Sequence, residues 1–195
     1  MNGLAARLAP LGVVLIVRPI STGDEAAFAD PTEPLLRRRA SGAARLAARA
    51  ALASLGGPAD APLPRSPGRY PLWPTGFVGS LAHDETQAAA VCARASDMTA
   101  LGVDVEPAGP LPDDVAEIAL FGAELADPAL GRAIFCAKEA VYKAINPLDG
   151  SALEYEDIAV DLAAGTATLR DGRTLRLERA TYTRLLVVAL WRQPV

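Results

Sequence analysis

Six prolines between positions 58 and 74 (Pro58, Pro62, Pro64, Pro67, Pro71 and Pro74) cut this chain into two unlike parts. No helix or central strand runs through such a segment. Before it lies an alanine- and arginine-rich stretch with a helical pattern. After it come short runs of alternating apolar and polar residues, interrupted again by Pro107, Pro110 and Pro112. A long helix followed by a run of strands predicts an α+β protein. A loop as long as 57–75 in a small chain is functional or disordered.

The first helix should open at Asp30-Pro31, with Asp30 as cap and Glu33 closing a capping box, and stop at Gly56-Gly57. Gly42 weakens it locally. The apolar run 13–17 reads as a buried strand. Arg18-Pro19 closes that run, which argues against a cleaved leader. Strands are expected over 76–81, 87–93 and 100–106, and helices over 113–120 and about 132–145. A meander should follow over 158–162, 166–170, 173–179 and 185–191, with Asp171-Gly172 as a hairpin turn.

Apolar residues make up 51% of the chain and aromatics 5%, so the core must be aliphatic. The net charge of −4 argues against a nucleic-acid partner, yet a local cluster could still hold a small anion. Cys92 and Cys136 sit in apolar contexts and give no disulfide framework, which suits buried thiols in a reducing compartment. No segment reaches the roughly 20 apolar residues of a membrane span, so no membrane partner is expected. The expectation is a cytoplasmic monomer.

Three clusters carry chemistry. In Leu101-Gly102-Val103-Asp104-Val105-Glu106 a strand would turn Asp104 and Glu106 to one face, roughly 6.5–7 Å apart at the backbone. Such a pair can converge on a hard cation such as Mg²⁺. A solvated acidic face has the same pattern. In the second cluster, Phe135 to Ala144, Ile134, Val141 and Ile145 form a buried stripe, and Glu139 and Lys143 lie one turn apart on the other side. They are either a surface ion pair or a third metal carboxylate with a phosphate-binding lysine. The chain has 17 Arg but only two Lys, both in this stretch. Third, Arg38, Arg45 and Arg49 share a helical face, as a multiply phosphorylated ligand or a solvated basic face would require. His83, the one histidine, ends a strand and could donate to a phosphate.

The order and spacing of these clusters resemble the 4′-phosphopantetheinyl transferases, in particular the enterobactin-synthetase type. That family carries Ser-x-x-His, then Gly-[Ile/Val]-Asp-x-Glu, then [Phe/Trp]-x-x-Lys-Glu-x-x-x-Lys. Here these are Ser80-Leu81-Ala82-His83, Gly102-Val103-Asp104-Val105-Glu106 and Phe135-Cys136-Ala137-Lys138-Glu139-Ala140-Val141-Tyr142-Lys143. The arginine-rich stretch 37–55 and Pro71-Leu72-Trp73-Pro74 match two further features. The resemblance implies transfer of phosphopantetheine from coenzyme A to a serine of an acyl or peptidyl carrier protein. Asp104, Glu106 and Glu139 would hold Mg²⁺, Lys143 would contact the pyrophosphate, and Glu139 would be the base, directly or through a water. Arg38, Arg45, Arg49 and His83 would take the phosphates at the adenosine end, with Ser80 in the same element as His83. Arg69, Tyr70 and Pro71 would lie along the adenine. The implied fold is a pseudo-dimer of two similar α+β lobes, 1–106 and 107–195, with the active site at their interface. A metal-dependent phosphohydrolase or nuclease, or a non-catalytic paralogue that binds coenzyme A or carriers, would share parts of this pattern.

Overall fold

The computed structural model describes residues 2–28, 30–150, 152–181 and 183–193. Helix α1 (Asn2–Leu8) leads to strand β1 (Val14–Pro19) and helix α2 (Leu35–Ser54), followed by β2 (Phe77–His83), β3 (Gln87–Arg94) and β4 (Ala100–Pro107). Helices α3 (Asp113–Ala119) and α4 (Gly131–Asp149) come next, then β5 (Ile158–Asp161), β6 (Thr166–Leu169), β7 (Thr174–Thr181) and β8 (Arg184–Trp191). The strands form two antiparallel sheets, ordered β1-β3-β2 and β4-β8-β7-β6-β5.

The period-two pattern of the strands makes the layers. On β3, Ala89, Val91 and Ala93 pack with Val103 and Val105 of β4 and with Leu186 and Val188 of β8, forming an aliphatic core between the sheets. The alternate residues of β3, Ala90 and Cys92, meet Ala47, Ala48 and Ala51 of α2. On β8, Val187 and Ala189 meet Ala137, Ala140 and Val141 of α4. Each sheet therefore has one face on its fellow and one under a helix. Small residues allow the helices to come close. A Cβ on Gly42 would lie 1.8 Å from the Asp24 carbonyl oxygen, so this glycine lets the turn at Asp24–Ala27 rest on α2.

The element order follows the sequence reading, with three differences. Helix α2 starts at Leu35 and not at Asp30-Pro31. Pro34 takes the extended N-terminal position, the Asp30 carboxylate turns locally onto Thr32, and Glu33 accepts a hydrogen bond from Arg65 at 2.8 Å. The would-be capping glutamate is thus spent on tying down the proline-rich loop. Helix α1, over Asn2–Leu8, is an element beyond those the sequence pattern predicts. Helix α4 continues through Pro147 to a left-handed Gly150. Residues 57–75 contain no regular element, only an isolated bridge between Arg65 and Pro71. Strand β4 pairs with β8 from Ala100–Trp191 to Pro107–Arg184, inside the five-stranded sheet.

Candidate active site

The site starts from a missing side chain. A Cβ on Gly102 would lie 1.7 Å from the carbonyl oxygen of Ala140, so α4 rests directly on the backbone of β4. Gly102, Asp104 and Glu106 share the face of β4 turned to α4, while Val103 and Val105 enter the core between the sheets. At this approach, Lys143 Nζ reaches Asp104 Oδ1 at 2.5 Å. Asp104 is buried, and its second oxygen, Oδ2, has no hydrogen-bond partner. Glu106 accepts a hydrogen bond from Arg132 at 2.7 Å, and Glu139 accepts one from the Tyr155 hydroxyl at 2.6 Å.

Each of the three carboxylates thus has its own donor. Among the described residues, no group of three or more His, Cys, Asp or Glu side chains is gathered closely enough to hold an ion. The donor chemistry still fits a hard cation. All three groups offer oxygens, and Asp104 Oδ2 is a buried acceptor with nothing to accept.

The electrostatics follow from this pairing. Burial works against the Lys143 ammonium, but Asp104, with Glu139 behind it, more than offsets that and raises the amine above its ordinary value. Burial raises the Glu106 carboxyl, with Arg132 opposing. Burial, and then the Glu139 carboxylate, raise the Tyr155 phenol, which stays a donor. The buried Cys136 thiol is pushed well above its usual range by burial first and by Asp104 second, so it is no nucleophile.

A cavity of about 280 Å³ opens beside this pair, lined by Arg37, Arg45, Arg65, Arg69, His83 and Lys143. A second, of about 330 Å³, shares Arg69, Pro71, Leu81 and Lys143 with it and adds Tyr70, Ser80 and Glu139. A third, of about 200 Å³, continues past Glu139 and Tyr142 to Tyr155. The three make one cleft, basic at one end, with Lys143 and Glu139 in the middle. A larger cavity, of about 670 Å³ around Ser96 and Arg192, shares no lining residue with this cleft. His83 keeps an open side at the cleft wall, and desolvation there, then Lys143 and Arg37, lower its imidazole.

The arginines of α2 divide in two. Arg45 is buried, stacks 4.0 Å over the Phe28 ring and donates to the carbonyls of Leu63 and Ser41 at 3.0 and 3.1 Å. Burial brings its guanidinium down to about 10, still charged at neutral pH. Arg49 donates to the Ala61 carbonyl at 2.9 Å. A proline-rich loop has few N–H groups to pair with its own carbonyls, and these arginines supply the donors. Arg45 also lines the cleft; Arg38 and Arg49 line none of its three cavities.

Four participants carried no sequence assignment. Arg65 joins the basic wall, Arg132 holds Glu106, and Tyr155 holds Glu139. Lys138 is fully buried and donates to the carbonyls of Ala119 and Tyr155, both at 2.9 Å, while pairing with Glu124 at 2.6 Å. The concentration of both lysines in one stretch was the sequence signal for Lys138. Tyr155 and Arg132 had none, since their partners lie 16 and 26 positions away.

Comparison with known proteins gives matches over most of the chain. The family model of the 4′-phosphopantetheinyl transferase N-terminal domain matches residues 25–93, and that of the 4′-phosphopantetheinyl transferase superfamily matches residues 100–188. The 4′-phosphopantetheinyl transferase Svp of Streptomyces mobaraensis is 44% identical over 140 residues, 65% of this chain and 56% of the relative. Npt of Nocardia iowensis, a protein of the same name, is 38% identical over 145 residues, 70% of this chain and 65% of the relative. PptT of Mycobacterium tuberculosis, also so named, is 41% identical over 121 residues, 58% of this chain and 53% of the relative. The chain thus spans between half and two thirds of the length of these relatives.

Proposed function

The chain belongs to the 4′-phosphopantetheinyl transferase superfamily, and from that premise we propose that it moves the 4′-phosphopantetheine arm of coenzyme A to a serine of an acyl or peptidyl carrier protein, as a holo-carrier synthase of the enterobactin-synthetase type. The observation that carries the reading is the continuous cleft. It places a wall of arginines and His83 beside Lys143, and Glu139 next to both. A polyphosphate nucleotide suits the wall, and a proton acceptor suits the far side. The arginine-rich α2 and the Trp73 segment support the finer assignment. In this reading the two lobes each pair a helix with a sheet, and the cleft lies where they meet.

Arg45, Arg65, Arg69 and His83 bind the phosphates at the adenosine end. An ammonium has three donors; Lys143 gives one to Asp104 and has two left for the pyrophosphate. Tyr70 and Pro71 lie along the base. Asp104 through Oδ2, with Glu106 and Glu139, would hold Mg²⁺, which when bound neutralises the pyrophosphate and the leaving charge. Glu139 takes the proton of the carrier serine. The serine oxygen bonds to the β-phosphorus as the bond to the bridging oxygen breaks, and 3′,5′-ADP leaves with the electron pair.

Fluorescent coenzyme A incubated with a panel of carrier proteins tests this. Covalent label should appear on a carrier, and Glu139→Ala should abolish it with the melting temperature kept. Cleavage of DNA or a phosphomonoester, with no carrier labelled, rejects the reading.

A further inference from the structure

We infer that Tyr155 is the positioning residue for Glu139: its hydroxyl fixes the orientation of the carboxylate that receives the serine proton. The inference rests on the transfer reading above and adds a residue to its machinery.

Three observations carry it. The hydroxyl donates to Glu139 Oε1 at 2.6 Å, a short charge-assisted hydrogen bond. That bond takes one lone pair of Oε1 and leaves Oε2 without a side-chain donor among the described residues. The second observation is that Tyr155 is itself held. Its carbonyl accepts from the buried Lys138 ammonium at 2.9 Å, and its ring lies against Phe135 with centroids 5.9 Å apart. Its turn, Tyr155–Asp157, is closed by Glu154 N donating to the Asp157 carboxylate at 3.0 Å. Third, the neighbours in sequence, Lys138 and Glu139, grip the same residue from α4, one at its backbone and one at its hydroxyl. Lys138 is anchored in turn by Ala119 and Glu124.

A glutamate has three side-chain torsions, and an unpinned one spreads over several orientations. Tyr155 reduces that spread before substrate arrives, as a preorganised site requires. No other side chain is seen to donate to Glu139 among the described residues.

The decisive variant is Tyr155→Phe, which keeps the ring against Phe135 and removes only the hydroxyl. With fluorescent coenzyme A and a carrier, kcat should fall roughly 10- to 100-fold while the KM for coenzyme A stays within about twofold. Tyr155→Leu, which loses the ring as well, should lower the melting temperature further but kcat little more. Carbon-13 NMR reads the contact without any turnover. The Glu139 side-chain carboxyl resonance, assigned by its loss in Glu139→Gln, should move in Tyr155→Phe. A wild-type kcat in Tyr155→Phe overturns the positioning role, and so does a resonance that stays in place. Failure of the wild-type chain to label any carrier strikes the transfer reading instead, and the NMR shift still reports whether Tyr155 holds Glu139.

Discussion

Alanine at position 102 would put its Cβ 1.7 Å from the carbonyl oxygen of Ala140 and 2.8 Å from the nitrogen of Ala144. Both atoms belong to the backbone of α4, which cannot rotate aside as a side chain can. Ordinary contact begins at 3.4 Å, so α4 must retreat from β4 by about 1.7 Å. Over-packing a core costs about 1–3 kcal/mol, and a clash with helix backbone belongs at the upper end, about 3 kcal/mol. For a chain of this size each kcal/mol lowers the melting temperature by roughly 2–4 °C, which gives about 6–12 °C. The same retreat pulls Lys143 off Asp104 and moves Glu139 with it, because all three stand on this one helix-strand contact. A displacement beyond 1 Å at reacting groups costs about 100-fold in rate. Differential scanning fluorimetry and the carrier-labelling assay measure the two effects on one preparation of Gly102→Ala. A melting temperature within about 2 °C of the parent, together with full labelling, would refute the argument that this glycine sets the spacing of the site.

Arg45→Ala and Arg69→Ala should separate structure from binding. Arg45→Ala leaves the buried Leu63 carbonyl without its donor, so it should lower stability by about 2 kcal/mol and also raise the KM for coenzyme A. Arg69 is largely exposed at the cleft wall, and its removal should raise KM with the melting temperature kept; equal losses of stability in the two variants would contradict the assignment. His83 gives a single resolvable imidazole signal, which should titrate below the ordinary value of 6.5 because of desolvation and the charges of Lys143 and Arg37. Its folded pKa is depressed, so its stabilisation is complete above the unfolded value and is lost as pH falls through the folded one. Inorganic pyrophosphate should move the signal upward by cancelling the neighbouring positive charge, and titration at or above 6.5 in the free protein would refute the picture.

The strands and the major helices were legible because burial imposes a period. Val103 and Val105 against Asp104 is a two-residue alternation, and Ile134, Val141 and Ile145 mark the buried side of α4, as observed. The start of α2 departs from its local sequence pattern for a physical reason. Asp30, Pro31 and Glu33 satisfy a local capping rule, but Arg65, 32 positions away, competes for Glu33 and wins. By propensity alone Gly42 is a weak point of α2, since a glycine costs helix stability. The structure shows what offsets that cost, which is the 1.8 Å approach of the Asp24 carbonyl that any side chain would block. Close approach depends on elements distant in sequence, and no local pattern encodes it.

The same limit applies to the site, and there it bears on mechanism. Residue type and spacing, joined by the family resemblance, suggest Asp104, Glu106, Glu139 and Lys143 as a group of oxygen donors around a lysine. They did not show that each carboxylate has a separate partner, with Lys143 on Asp104, Arg132 on Glu106 and Tyr155 on Glu139. Three carboxylates held near one another without counter-charge would repel, and partial burial would deepen the cost. Lys143 and Arg132 supply counter-charge and Tyr155 a neutral donor, which offsets part of that cost while leaving Asp104 Oδ2 unpaired. The arginine stripe of α2 shows the same economy of charge, since Arg45 both ties the proline-rich loop and faces the cleft. A helix wheel reads such a stripe as one surface, yet the loop that lacks N–H donors claims Arg49 for a carbonyl. The charged residues of this site therefore have to be understood in pairs. A substitution that removes one member leaves the other buried or misdirected, so its effect on rate will exceed what its own contact with substrate would contribute.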